Sequence, residues 1–259
     1  MVIFHGGATM SSQTEITVRL ACFGGVLALV ALAEWVAPRR RLTLGRRRRW
    51  PTNLGLVALN TVAVRLLVPI TAVATAELAK SANLGLFSRL AWPFWVKVIV
   101  GVIVLDLAIY LQHVLFHAVP ALWRLHRLHH ADRDFDVTTG VRFHTVEILL
   151  SAGLKLGVIM ALAPPVLAVL VFEILLNATS MFNHGNLGIP RWIDRLLRWI
   201  VVTPDMHRVH HSTVRAEANS NYGFNLPWWD FLLGTYRAEP AAGHEAMTIG
   251  VNTSQKTTA

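Results

Sequence analysis

The chain has 259 residues, of which 54% are hydrophobic and only 15% are charged, whereas an ordinary soluble domain has roughly 25% charged residues. This composition excludes a disordered protein, a coiled coil and most water-soluble enzymes of similar length. A single cysteine, Cys22, excludes an intramolecular disulfide framework and any Cys-rich zinc or iron–sulfur site. The net charge of +9 comes mostly from seven arginines between positions 39 and 49. A basic run beside an apolar segment indicates a membrane surface rather than a nucleic-acid partner.

The first predicted element is a membrane span over residues 16–37, which carries no charge between residues 20 and 33. A cleavable signal peptide is the alternative, because residues 31–33 read Ala-Leu-Ala, but Glu15 and the lack of a cationic cluster before the apolar run disfavour it. Pro38 is predicted to end the helix. The arginines that follow are expected to hold the next loop in the cytoplasm, which places the N-terminus outside.

Two further apolar stretches, residues 54–78 and residues 92–116, are predicted to cross the membrane, so that the second of them ends in the cytoplasm. A longer apolar segment, residues 146–182, is broken by Pro164-Pro165 into two halves of nearly 20 residues. Because proline cannot continue a helix, this pattern predicts a helical hairpin that returns the chain to the side it left.

Residues 191–200 alternate arginines with tryptophan, isoleucine and leucine, as in a helix that lies in the membrane interface. A soluble cap helix packed on the rest of the protein is the alternative. The chain is thus predicted to be an all-α integral membrane protein with about four to five transmembrane or hairpin helices and a cytoplasmic histidine-rich cap. We expect an N-terminal tail over residues 1–15, one membrane-embedded domain over residues 16–240, and a C-terminal tail over residues 241–259.

Ten of the twelve histidines lie between positions 113 and 211. His113 and His117 are four residues apart, which places both imidazoles on one face of a helix. Two HxxHH motifs, at residues 126–130 and 207–211, repeat this spacing. Any single histidine is more often an ordinary polar contact, but imidazoles at this recurring spacing are suited to chelating a metal. Because eight such nitrogens exceed what one ion accepts, the pattern predicts two metal ions.

Other metal chemistries fit this pattern less well. A single zinc hydrolase is disfavoured because the chain has no HExxH motif, and adjacent histidines fit the opposed axial ligands of a transmembrane haem poorly. The predicted crossings place every candidate ligand on the arginine-rich side of the membrane, where a site can take a lipid tail from the bilayer and electrons from cytoplasmic carriers.

Five runs occur in order along the chain: DLAIYLQHVLFH, WRLHRLHH, TTGVRFHTVE, FNHGN, and TPDMHRVHHS followed by NYGFNLPWWDFLLGTY. Together they resemble the fatty acid hydroxylase/sterol desaturase superfamily over about residues 30–238. The resemblance implies a membrane-bound, non-haem di-iron oxygenase that uses O₂ to hydroxylate or desaturate a lipid C–H bond. No segment resembles cytochrome b5 or ferredoxin, so we expect a separate electron-transfer protein as the donor of electrons to the two Fe ions.

Carried over by position, the resemblance implies eight iron ligands, with His184 as a ninth and His144 as either a tenth or a group behind the ligands. The eight are His113, His117, His126, His129, His130, His207, His210 and His211.

Acids and amides near the histidines are candidates for orienting them. Asp106 lies two helical turns before His113, where a carboxylate could orient a ligand imidazole through its other N–H. The alternative is a buried acid paired with Lys97 or with an arginine. Weaker candidates for such a catalytic or supporting role, which could equally be surface or capping residues, are Asn221, Asp132, Asp136 and Glu147. The arginines beside the motifs, Arg127, Arg142 and Arg208, are expected to face solvent or lipid phosphate.

The leading hypothesis is therefore a lipid hydroxylase acting on a fatty acyl chain, a sterol or a related lipid of the bilayer. A desaturase using the same site is the alternative within enzymes, and a membrane metal-binding or transport protein is the alternative from a different class. Transport favours ligands spread along a path across the membrane, whereas these are predicted on one side. The arginine-rich loop fits a bacterial inner membrane.

Overall fold

A computed structural model describes residues 2–3 and 9–251. Apart from a two-residue antiparallel pairing of β1 (Val2–Ile3) with β2 (Thr9–Met10), the described chain is helical. The longest helices are α1 (Ser12–Val36), α2 (Arg46–Leu67), α5 (Phe94–Ala118), α7 (Thr145–Leu162) and α8 (Val166–Asn183). Shorter ones are α3 (Ala72–Ser81), α4 (Leu86–Arg89), α6 (Pro120–His130), α9 (Arg191–Leu197), α10 (Pro204–His210), α11 (Arg215–Ala218), α12 (Trp228–Leu232) and α13 (Gly243–Ala246), with a 3₁₀ turn at Thr139–Val141.

Five segments are long and apolar enough to cross a membrane, which confirms the predicted number and type of helices. They are Gln13–Val36, Arg46–Arg89, Phe94–Ala118, Thr145–Leu162 and Val166–Asn183.

The first helix begins earlier than the apolar pattern indicates. The side chain of Ser11 accepts a hydrogen bond from the backbone N–H of Thr14 at 3.0 Å and so caps α1 four residues before the predicted start of the span. The helix ends at Val36, just before Pro38. The first N–H groups of a helix have no partner within it, and a capping side chain pairs with one of them. The cap therefore allows α1 to begin in the polar sequence before the apolar run.

The second predicted span is two helices. α2 ends at Leu67 and α3 begins at Ala72, because Pro69 has no N–H to continue the helix and Thr71 caps the next one. At its other end, α2 begins at Arg46, within the arginine run. The last four arginines of that run are thus helical rather than part of a loop.

The predicted hairpin is present, with α7 and α8 joined at Pro164-Pro165. α8 packs against α1, α3 and α5 and is the central helix of the bundle. The main core lies among α3, α5, α7 and α8, and includes the fully buried Phe172, Ile159 and Val169. Helices α5, α6, α8 and α10 carry their histidines at one end of this bundle, so its packing positions the site.

The segment after α8 presents apolar side chains outward. Trp192, Leu196, Trp199 and Ile200 are between 61% and 69% exposed. A cap helix packed on the protein would bury these residues, so the exposed face favours the interpretation that the segment lies in the membrane interface.

Part of the segment expected to be a C-terminal tail is packed onto the fold. Residues 243–246 form α13, and Met247 and Ile249 are buried in a cluster with Phe135. Residues 252–259, and much of the expected N-terminal tail, lie outside the described residues.

Candidate metal centre

Nine histidines converge into two buried groups of possible metal ligands. The five-histidine cluster consists of His113, His117, His126, His130 and His210, and the four-histidine cluster of His129, His184, His207 and His211. Within each cluster, one ring nitrogen of every member lies within 4.8 Å of the others. The structure therefore brings together nine of the ten predicted histidines.

Helical geometry divides each HxxHH motif between the two clusters. In α6, His126 and His130 are one turn apart and join the five-histidine cluster, whereas His129 points into the other. In α10 the pairing is reversed, since His207 and the following His211 join the four-histidine cluster and His210 joins the larger one. The two motifs interlock, so that each supplies ligands to both clusters.

Backbone carbonyls fix the tautomers of several rings. The Nδ1 atoms of His113, His184 and His210 each lie 2.7 Å from a carbonyl oxygen, and that of His129 lies 3.1 Å from one. Because a carbonyl can only accept, each Nδ1 carries the proton and each Nε2 presents a lone pair. The acceptors are the carbonyls of Tyr222, Ser180, Ser220 and Arg142.

These lone pairs face one another, which tests whether the residues fit a metal. The Nε2 atoms of His129 and His184 lie 3.1 Å apart although neither carries a proton. The Nε2 atoms of His207 and His211 each lie 3.2 Å from that same atom of His184. Two lone pairs at this distance repel unless a cation lies between them. Two nitrogens at right angles around an ion, each about 2.1 Å from it, would lie about 3.0 Å apart. The donor set and its spacing fit a transition-metal ion.

The five-histidine cluster shows the same features. His113 and His126 have their Nε2 atoms 3.1 Å apart, as do His117 and His130. The Nε2 atom of His210 is buried without a hydrogen-bond partner among the described residues, as expected of a ligand atom.

Burial keeps the imidazoles in the neutral form that binds metal. It lowers the pKa of His184 and of His210 to about 3. Burial, together with the neighbouring imidazoles, also lowers the pKa of His129, His207 and His211 well below the ordinary value. All five rings are therefore uncharged at neutral pH and present their nitrogens as ligands.

Glu147 is the one weaker candidate that contacts a clustered imidazole. Its Oε1 atom lies 2.6 Å from His126 Nδ1, and both side chains are buried. A carboxylate behind a ligand imidazole fixes the orientation of the ring and raises its basicity. Of the four weaker candidates, Glu147 therefore has the position that a supporting role behind an imidazole requires.

His144 lies outside both clusters, which corrects its prediction as a ligand. Its Nδ1 atom accepts a hydrogen bond from the N–H of Val146 at 3.1 Å and caps the start of α7. A proton acceptor at this position satisfies a helix N–H that has no partner within the helix.

Asp106 does not orient an imidazole and does not pair with a cation, so both expectations for it are corrected. Its buried carboxylate accepts hydrogen bonds from the backbone N–H groups of Asn225 and Leu226, at 3.3 and 3.2 Å, and from the indole of Trp229 at 2.8 Å. Asp106 thereby holds the loop before α12 against α5.

Asn221 makes its hydrogen bonds with the backbone and with none of the imidazoles. Its amide donates to the carbonyls of Met206 and Arg237, and its Oδ1 accepts from the N–H of Arg237, each at 2.8 Å. Its φ of 51° lies in the left-handed region, which asparagine tolerates better than most residues. Asn221 therefore shapes the loop whose carbonyls at residues 220 and 222 accept hydrogen bonds from His210 and His113.

Asp132 and Asp136 hold a buried arginine that the sequence analysis did not single out. Arg49 contacts both oxygens of Asp132 and one oxygen of Asp136, each at 2.6 Å. This guanidinium holds the pKa of Asp132 below its ordinary value, against the opposing effect of burial. The pairing joins the start of α2 to the loop after α6. In the sequence, the only feature that distinguishes Arg49 is its position at the end of the arginine run.

Two of the three arginines beside the motifs also make internal contacts. Arg208 is fully buried, pairs with Asp205, and lies 5.2 Å from the ring centre of Phe135. Arg142 donates to the carbonyl of Leu128 at 2.9 Å. Arg127 alone is exposed, as expected. Buried guanidinium groups of this kind brace the segments that carry histidines.

A cavity of about 610 Å³ extends from the five-histidine cluster into the helix bundle. His113 and His126 line one end, and the walls include Ile109, Phe116 and Phe143. Leu20 on α1, which is 66% exposed, also lines it. The cavity thus connects the histidines with the outer surface of the membrane-spanning helices.

Comparison with known proteins gives one family and several relatives. The fatty acid hydroxylase family matches residues 98–235, more than half of the chain. An ornithine lipid hydroxylase from Rhizobium tropici is 35% identical over 58% of this chain and 44% of its own length. An alkylglycerol monooxygenase from Homo sapiens is 31% identical over 61% of this chain and 34% of its own. A cholesterol 25-hydroxylase from Rattus norvegicus is 30% identical over 55% of this chain and 47% of its own length. No solved structure gives a significant match.

Proposed function

Because the chain belongs to the fatty acid hydroxylase family, we propose that it is a membrane-bound, non-haem di-iron oxygenase that hydroxylates a C–H bond of a lipid. One observation carries this proposal. Nine histidines form two adjacent clusters, with unprotonated Nε2 atoms facing one another, at the end of an apolar cavity within the helix bundle. Similarity to an ornithine lipid hydroxylase, an alkylglycerol monooxygenase and a cholesterol 25-hydroxylase supports a lipid as the substrate.

Each cluster would hold one iron ion. When bound, iron would supply the redox chemistry by which O₂, two electrons and two protons convert a C–H group to C–OH and release one water. The protein would hold the ligand rings in a fixed orientation, because their Nδ1 atoms donate hydrogen bonds to backbone carbonyls. The rings would then keep this orientation when the site is reduced or oxidised. Glu147 would add to this by accepting a hydrogen bond from the Nδ1–H of His126, which leaves the Nε2 atom of that ring free as a ligand.

The cavity would bind the alkyl part of the substrate. Apolar side chains such as Ile109, Phe116 and Phe224 line it, and they exclude water from the reacting carbon. The exposed Leu20 in its wall marks a lateral opening toward the bilayer. A lipid could enter by this route without leaving an apolar phase.

The arginine-rich segment lies at the histidine end of the bundle. Arg49 pairs with Asp132, two residues after His130, and Arg39 lies 3.3 Å from Asp205, two residues before His207. By the positive-inside rule this end faces the cytoplasm. We therefore place the site on the cytoplasmic side of a bacterial inner membrane, where a separate electron-transfer protein would supply the electrons.

The test combines metal content with product analysis. Protein purified anaerobically in detergent should contain about two irons per chain by mass spectrometry, and it should add one oxygen atom to a component of a bacterial lipid extract when O₂ and a reductant are supplied. A product lacking two hydrogens would indicate a desaturase instead. Folded, iron-loaded protein that consumes no O₂ with any lipid class would overturn the proposal.

A further inference from the structure

The histidine end of the cavity carries a short polar strip formed by Gln112 on α5 and by Glu147 and Ser151 on α7. Gln112 Nε2 donates a hydrogen bond to Ser151 Oγ at 2.6 Å. All three side chains line the cavity together with His113 and His126. Glu147 and Ser151 are one helical turn apart, so they share a face of α7.

Two acceptor atoms of this strip are unsatisfied. Gln112 Oε1 and Glu147 Oε2 are buried, and neither has a hydrogen-bond partner within residues 2–3 and 9–251. The Glu147 side chain as a whole is 5% exposed. A buried acceptor left unpaired is costly, so each such atom in a native structure calls for an explanation.

The other buried side-chain acceptors along the same cavity already have partners among the described residues. Asn60 donates to the carbonyl of Phe143 at 3.0 Å and accepts from Thr145 at 2.8 Å. Glu173 lies on α8, farther from the histidines, and pairs with Arg19 at 2.7 Å and with Lys155. The unpaired acceptors are therefore a feature of the end of the cavity beside the ligands, and not of its lining in general.

We propose that this strip is a subsite for a hydrogen-bond donor of the lipid, a hydroxyl or an amide N–H, close to the carbon that is oxidised. The identification of that ligand as the substrate rests on the proposed function, whereas the preference for a donor rests on the strip alone. Both unsatisfied atoms are acceptors, so an O–H or N–H group satisfies them and an ether or a tertiary amide does not. A lipid with such a group would be held in one register along the cavity, which fixes the site of oxidation.

The test compares amphiphiles that differ in one donor. N-hexadecylacetamide carries an N–H that N-hexadecyl-N-methylacetamide lacks, and hexadecanol carries an O–H that hexadecyl methyl ether lacks. Native mass spectrometry of the iron-loaded protein in detergent measures how much of each is bound at equal concentration. We expect the donor-bearing member of each pair to bind about tenfold more tightly, the effect of one hydrogen bond to a buried acceptor.

The variant Gln112→Leu should reduce this preference from about tenfold to about threefold, because it replaces one of the two acceptors with an apolar side chain of similar size and leaves Glu147 Oε2 in place. Asn177→Leu is the matched control. Asn177 lines the same cavity, but its amide donates to the carbonyl of Glu173 in its own helix at 2.8 Å, so the preference should be kept. Equal binding of the paired probes by the wild-type protein would overturn the inference even if Gln112→Leu did not fold. So would a preference that Gln112→Leu leaves intact.

Iron content and O₂-dependent oxidation separate this inference from the proposed function. A donor preference in a protein that oxidises no lipid would support the subsite and overturn the oxygenase. Oxidation of lipid without any donor preference would support the oxygenase and overturn the subsite.

Discussion

His126 Nδ1 lies 2.6 Å from Glu147 Oε1. This contact links α6, which carries two members of the five-histidine cluster, to the first turn of α7. No other imidazole of either cluster has a carboxylate partner at its Nδ1 atom among the contacts of the described residues. The other fixed rings use carbonyls or an amide. His126 is thus the clustered imidazole whose orientation depends on a single replaceable side chain.

Glu147→Gln should weaken iron binding at the five-histidine cluster or lower oxidation activity by about 10- to 100-fold, the range typical of removing a partner behind a metal ligand. The change keeps the size of the side chain but removes its charge. Iron per chain and product yield are the measurements. Glu245→Gln, at an exposed position, is the control and should match the wild type. Equal iron content and activity in the two variants would contradict this role for Glu147.

Variants of the two clusters should each lose about one iron per chain. His130→Ala removes a member of the five-histidine cluster, and His207→Ala removes a member of the four-histidine cluster. Each change removes one nitrogen donor from its own site, so that site is expected to bind its ion less tightly while the other site keeps its ion. Iron per chain by mass spectrometry tests this division.

His144→Asn is the histidine control for that experiment, because asparagine can also cap a helix. It should retain about two irons. A loss of iron equal to that of His130→Ala would show that His144 is a ligand after all.

Arg49→Met should destabilise the protein by about 3–5 kcal/mol, because it leaves the buried carboxylates of Asp132 and Asp136 without their cation. Unfolding in detergent, followed by tryptophan fluorescence, measures the change. Arg48→Met, one residue earlier and exposed, is the matched control and should shift the free energy of unfolding by no more than about 0.5 kcal/mol. Similar stability of the two variants would rule out a structural role for the Arg49 ion pairs.

Iron-free protein should lose stability as the pH falls below 6.5. The pKa of His184 and of His210 is about 3 in the folded chain because of burial, against an ordinary value of 6.5. Between these values the unfolded chain binds protons that the native chain does not, so the free energy of unfolding decreases as the pH decreases. Each such histidine contributes about 1.4 kcal/mol per pH unit.

Thermal unfolding of the iron-free protein in detergent at several pH values measures this dependence. The variant His210→Asn has one fewer buried imidazole to protonate and should show a shallower dependence on pH. A midpoint that does not change below pH 6.5 would show that the clusters are not buried in the neutral form.

Local patterns in the sequence are enough to predict much of this protein. Apolar runs predict the membrane-spanning helices, because each needs only length and hydropathy, and Pro164-Pro165 predicts the hairpin because proline breaks a helix locally. The recurring histidine spacing likewise predicts which helix faces carry imidazoles. Nine of the ten histidines singled out in this way lie in the two clusters.

The division of the ligands is decided only by the tertiary structure. Helical spacing shows that His126 and His130 share a face, but whether His129 joins them depends on how α6 packs against α5 and α7, which local sequence does not specify. The same holds for the acids. Asp106, Asp132 and Glu147 all lie near histidines in sequence, yet only Glu147 reaches an imidazole, because the direction of each side chain is set by the packing of its helix or loop against distant parts of the chain.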